Sequence, residues 1–120
     1  ELMLNGHRDI NVDEIRAHAI LQGNFTPQSK VVLWLWHMLG EFDSSTRELF
    51  LKFVTGTSRV PLDGFDPPFN VTEGVDMDPD SLPKAHTCFN QVVLPKYRSL
   101  ETMTEKIKYA IQNSQGFQLS

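Results

Sequence analysis

Apolar positions along the chain recur at helical spacing up to about residue 56 and at strand spacing, broken by prolines, after it. Glu1–Asn5 is largely apolar and stops at Gly6, as the end of a helix does. Asn11-Val12-Asp13-Glu14 sets a capping residue three positions before a glutamate, a variant of the capping box. A short helix to about Ala19 is predicted, with Val12, Ile15 and Ala19 on one face. Gly23 punctuates the next loop, and Thr26-Pro27 reads as an N-cap followed by a first-turn proline. The helix this opens, over 28–41, holds Val31 to Trp36, Met38 and Leu39, is apolar nearly all round, and is predicted to be the most buried. Asp43 caps a third helix over 44–55, with Leu49, Phe50, Phe53 and Val54 as its stripe and Gly56 as its stop.

From 57 to 98 the prolines and glycines forbid long helices. Phe69–Thr72 alternates as a half-buried strand, Gln91–Leu94 reads as a second, and Ser58–Val60 as a weaker third. Ser99 caps a last helix to about Asn113, whose core face is Leu100, Met103, Ile107, Ala110 and Ile111, and Gly116 releases a short tail. Helices, then short strands, then a helix make an α+β fold, with the helices on a small sheet of about four strands.

Composition narrows the chemistry. A chain of 120 residues suits one domain with its own core. A net charge of -4 gives no basic footprint, so no nucleic-acid partner is expected. The longest apolar run, Val31–Leu39, is too short to span a bilayer and contains His37, so no membrane insertion is expected. The chain holds one cysteine, which fits a reducing compartment, cytoplasmic or also nuclear. In such a compartment the sequons Asn24-Phe25-Thr26 and Asn70-Val71-Thr72 are accidental.

That cysteine, Cys88, has no internal disulfide partner, so its use is packing or reactivity. In extended backbone His86, two residues before it, would point to the same face, and Thr87 adds a hydroxyl beside the sulfur. Leu82-Pro83 and Leu94-Pro95 bracket the segment with extended dipeptides. A displayed thiol is one reading; a buried cysteine acting as a small hydrophobe is the other. His86 would act as a base or orient the loop through its ring nitrogens. No complete Cys-His-Asn triad can be assigned, since the side chain of Asn90 serves equally to cap a turn. Asp76, Asp78 and Asp80 resemble a calcium loop, but Ser81 stands where glycine should and Thr87 where glutamate should. His86 and Cys88 are two zinc-capable residues where a structural site has four, and no metal is expected. Strand 91–94 follows the cysteine directly, so its edge is a candidate for adding an extended peptide, flanked by Lys84, Phe89 and Gln91.

Leu82-Pro83-Lys84-Ala85-His86-Thr87-Cys88-Phe89-Asn90 resembles the active-site segment of HECT-type ubiquitin ligases. Phe53–Pro61 resembles a second signature of that family, and Gly116-Phe117 matches its phenylalanine fourth from the C-terminus. Glu1–Gly6 resembles the end of the family's N-lobe. The blocks occur in family order along essentially the whole chain. The resemblance implies a catalytic C-lobe over 10–120, preceded in 1–9 by the end of the N-lobe and an interlobe hinge at Gly6, His7, Arg8 and Asp9. It further implies that Cys88 accepts ubiquitin as a thioester from a charged ubiquitin-conjugating enzyme and passes it to a lysine of a protein substrate. His86 and Thr87 would shape the site. Phe89, Asn90 and Phe117 would contact ubiquitin or the other lobe, although Phe117 could equally dock back onto this domain. Thr57 and Arg59 sit in the second signature, where packing explains them equally well. No cofactor is implied. Some members carry an acidic residue after the phenylalanine; here the tail is Gln118-Leu119-Ser120, so the terminal carboxylate would have to replace it. Two other classes stand beside this reading: a non-catalytic ubiquitin-binding module with Cys88 buried, and a cysteine hydrolase using Cys88 and His86.

Overall fold

The structure, a computed structural model, describes residues 10–113. Asn11 opens the first helix, α1 (Val12–His18), its side-chain oxygen accepting from the N–H groups of Asp13 and Glu14. A short strand, β1 (Ile20–Gln22), follows, then the two central helices, α2 (Lys30–Glu41) and α3 (Ser44–Thr55). Asp43 caps α3 by accepting from the Thr46 N–H at 2.9 Å, and the bonds from Thr46 hold its carboxyl below the usual aspartate value. Gly56 closes α3 in the left-handed region at φ 83°, its N–H bonding to Lys52 O. Three more strands, β2 (Asn70–Glu73), β3 (Lys84–His86) and β4 (Gln91–Leu94), lead to α4 (Leu100–Gln112), capped by Ser99 Oγ at the Thr102 N–H.

The strands form one mixed sheet in the order β1-β2-β4-β3. β1 and β2 are parallel, β2 and β4 are parallel, and β3 and β4 form an antiparallel hairpin. The register aligns Leu21, Val71, Val92 and Ala85 in one row, which faces the helices. Against it pack Leu35 and Leu39 of α2, Phe50, Leu51 and Val54 of α3, and Met103, Ile107 and Ile111 of α4, all buried. The rows on either side, Ile20-Asn70-Gln91-His86 and Gln22-Thr72-Val93-Lys84, carry the polar and half-exposed side chains of the opposite face.

The α+β class stands, but several elements differ from expectation. Ser58–Val60 is irregular; the sheet instead recruits two strands of three residues, β1 and β3. Thr26-Pro27 forms a separate turn before α2, with Ser29 N–H on Thr26 O and Thr26 N–H on Ser29 Oγ, so the helix starts at Lys30. Nor is α2 apolar all round in use: Leu33 and His37 are exposed, while Trp36 is buried and Trp34 half-buried in the core. In α3 the inward residue is Leu51 rather than Leu49, which is exposed.

Candidate active site

The hairpin of β3 and β4 is where the chain presents its only cysteine. The last cross-strand pair is His86 with Gln91, and the four residues between them turn the chain. Thr87–Phe89 form one turn of 3₁₀ helix, and Asn90 closes it in the left-handed region at φ 52°, ψ 43°, with its N–H on Thr87 O. Asparagine tolerates that conformation better than most residues with a side chain. Cys88 sits exposed at the tip of the turn. A buried role for the cysteine is therefore overturned. The extended backbone that would set His86 and Cys88 on one face ends at His86, because the chain coils into the 3₁₀ turn immediately after it.

The neighbours of Cys88 divide into held and free. Thr87 is half-buried beside the cap of α3, where a Cβ on Gly56 would lie 3.8 Å from the Thr87 Cβ. Asn90 is buried at 8% exposure; its Nδ2 donates to Pro67 O at 2.6 Å and its carbonyl accepts from Asn70 N–H at 2.9 Å. Phe89, by contrast, leaves 62% of its surface in solvent. Its ring borders an open depression of about 410 Å³ shared with Ile20, Pro67, Pro68, Asn70 and Gln91. The amides around that depression are ordered: Gln91 Nε2 donates to Thr72 Oγ1 at 2.8 Å, and Thr72 Oγ1 is also within hydrogen-bond distance of Gln22 Oε1 and Asn70 Oδ1.

β4 lies between β2 and β3, so neither of its edges is free and no peptide can add to it. The sheet's outer edges belong to β1 and β3. Thr57 and Arg59 are exposed, and Thr57 Oγ1 accepts from Arg59 N–H in a local turn, so packing does not account for them. Asp76, Asp78 and Asp80 form a chain-reversing loop in which Asp78 accepts from the Asp80 N–H and Ser81 Oγ. No group of three or more metal-capable His, Cys, Asp or Glu occurs among the described residues. The hinge positions Gly6, His7, Arg8 and Asp9, together with Phe117 and Ser120, lie outside the described residues. Sequence reasoning missed Pro67, Gly56 and Ile20, which brace or border the turn from distant parts of the chain. The sequence offered Asn90 as a turn cap, which locates the turn but does not point to Pro67 as its partner.

A family model described as HECT-domain (ubiquitin-transferase) matches residues 1–120. The E3 ubiquitin-protein ligase NEDD4 of Mus musculus is 39% identical over 123 residues, covering 98% of this chain and 14% of that protein. The NEDD4 of Homo sapiens is likewise 39% identical over 98% of this chain, which spans 9% of its length. The E3 ubiquitin-protein ligase RSP5 of Chaetomium thermophilum is 37% identical over 98% of this chain and 15% of its own. The chain thus spans under a fifth of each of these relatives.

Proposed function

This chain belongs to the HECT family of ubiquitin transferases, and from that premise we propose that it is the family's catalytic C-lobe, with Cys88 as the ubiquitin acceptor. The Cys88 thiol gives up its proton to solvent or a nearby base, and Sγ attacks the thioester carbonyl that joins ubiquitin to its conjugating enzyme. The new thioester forms as the enzyme's sulfur leaves as thiolate. A substrate lysine amine then attacks the same carbonyl, an isopeptide bond forms, Cys88 leaves as thiolate, and the amine's proton passes to solvent or a nearby base. Cysteine suits both steps because its thiolate is a strong nucleophile and its thioester stays reactive toward amines. Exchange of one thioester for another is nearly balanced in energy, so the placement of the two sulfurs governs the rate.

The observation that carries this reading is the exposure of the chain's only cysteine at the tip of a held turn. It also counts against the non-catalytic alternative, which needed Cys88 buried. His86 and Thr87 shape the site, Phe89 offers ubiquitin an apolar contact, and Phe117 seats the lobe against the rest of the parent protein for the second step. The partners are ubiquitin, a charged conjugating enzyme held by other parts of the parent, and a protein lysine, in the cytoplasm or nucleus. These 120 residues by themselves, under a fifth of the length of the relatives they match, are expected to be weakly active.

The test supplies charged conjugating enzyme to the full-length parent and to its Cys88→Ser variant and resolves the products without reductant. We expect a thiol-labile ubiquitin adduct in the wild type, and a thiol-resistant oxyester or none in the variant. A wild type that binds charged conjugating enzyme and forms no adduct would refute the proposal.

A further inference from the structure

We propose that Asn90 is a positioning residue for acyl transfer, fixing Cys88 by locking the end of its turn to the backbone of Pro67. The inference rests on the reading of Cys88 as the acceptor thiol.

Asn90 is the one non-glycine residue with positive φ among the described residues. Glycine would meet that backbone demand as well or better. What glycine lacks is the side chain, and here that side chain is buried with Nδ2 donating 2.6 Å from Pro67 O. The residue's backbone is engaged too: its N–H closes the turn on Thr87 O at 3.2 Å, and its carbonyl accepts from Asn70 N–H at 2.9 Å. These bonds run inward, to the turn, to β2 and to the loop that follows α3. Asn90 therefore acts on Cys88 from behind rather than as a contact for a partner.

The other end of the turn rests on the same stretch of chain. Thr87 lies beside Gly56, at the start of the loop that Pro67 nearly ends. Between the two fixed ends Cys88 and Phe89 are exposed. Cys88 is exposed and outside the core cluster, so the two fixed ends of its turn govern its position. For a near-balanced thiol exchange, misplacement by about 1 Å can cost on the order of a hundredfold in rate. Asn90 touches no reacting atom, and its effect should appear in transfer rather than in the thiol's access to small reagents.

The experiment uses the full-length parent with Asn90→Gly and Asn90→Asp. The first keeps the left-handed backbone and removes the donor; the second keeps the shape and turns an oxygen toward the Pro67 carbonyl. Two rates are compared with wild type: single-turnover loading from charged conjugating enzyme, and alkylation of Cys88 by iodoacetamide, read by peptide mass. We expect loading to fall about tenfold or more in both variants while alkylation stays within about threefold. Should Asn90→Asp fail to unfold cooperatively, Asn90→Gly decides alone. A smaller fall in the loading of Asn90→Gly, or alkylation falling by the same factor as loading, overturns the proposal. A wild type that forms no thiol-labile adduct overturns the acceptor reading and this one with it; a wild type that loads beside variants that load equally well overturns this one alone.

Discussion

Phe89 is the residue whose placement makes least sense for the isolated fold. Its ring, 62% exposed, contributes little to the core, yet it stands next to the thiol at the rim of an apolar and amide-lined depression. An exposed aromatic in that place is suited to anchor a protein partner. Phe89→Ala is expected to change stability by less than about 0.5 kcal/mol and to slow loading of Cys88 by about tenfold. Urea unfolding and single-turnover loading check the two halves; lost stability with unchanged loading would assign the ring to packing instead. Of the candidate site residues, Cys88 stood out because its motif is local, and its display on a turn is what the structure shows. Asn90 could be read as a turn cap, but its inward direction could not, since its partner Pro67 is 23 residues away. The shared face of His86 and Cys88 rested on unbroken strand, and one 3₁₀ turn after His86 removes that premise for a related reason: alternation cannot show where a strand ends.

Among the elements, α3 and α4 declared themselves through their caps and most of their stripes, α2 through its apolar run but not its cap, and β2 through alternation. β1 and β3, at three residues each, are too short for a period to show; their partners across the sheet define them. The observed strand extends one residue further than alternation marked it, and its burial pattern sets Glu73 on the same inner face as Val71. The buried carboxylate is satisfied there, accepting from the Asn24 N–H at 2.9 Å and pairing with Lys96 at 3.1 Å. It thereby ties the turn after β1 to the end of β2. Gly23 permits this approach, since a Cβ on it would come within 2.9 Å of the Glu73 Cβ and its φ is +76°. The bond from Asn24 lowers the Glu73 carboxyl below the usual glutamate value of 4.5, burial opposes it, and Lys96 adds to the lowering. As pH falls, the unfolded glutamate takes up its proton first. The unfolded state then binds more protons than the native one, so stability drops below about pH 4.5 until the native carboxyl is also protonated. Glu73→Gln should flatten this acid limb relative to wild type in urea midpoints measured from pH 7 down to 3; equal slopes would contradict it. At pH 7 Glu73→Ala should cost about 1–3 kcal/mol by stranding the Asn24 N–H. Lys96→Ala should cost less than about 1 kcal/mol, because its ammonium is largely in water.

At the scale of the molecule, the proposed transfer depends on how this body is joined to the rest of its parent. The resemblance assigns a hinge to Gly6–Asp9, and the described body begins directly after it at Ile10, whose side chain is buried. Arg47, in the first turns of α3, joins three carbonyls at that point: Nε donates to Leu39 O at 2.7 Å, and the two terminal nitrogens to Gly40 O at 3.1 Å and Ile10 O at 3.5 Å. The first two carbonyls belong to the last turn of α2, which has no helical partners for them. One guanidinium thus caps α2 from α3 and reaches the entry of the chain. None of this shows in the sequence, where Arg47 reads as a solvated residue in the polar first turns of α3. Arg47→Met keeps the aliphatic stem and removes the donors, and is expected to cost about 1.5–3 kcal/mol in urea unfolding. Arg47→Lys should recover only part of that, because a single ammonium cannot span carbonyls that a planar fork reaches together. The longest of the three contacts decides what the residue does beyond capping. If it anchors the entry of the chain, amide exchange at Ile15, whose N–H bonds to Asn11 O at 3.2 Å, should quicken in Arg47→Met by more than global unfolding explains. Exchange there that tracks the global loss alone would reduce Arg47 to the cap of α2 and leave Ile10 held by its own burial.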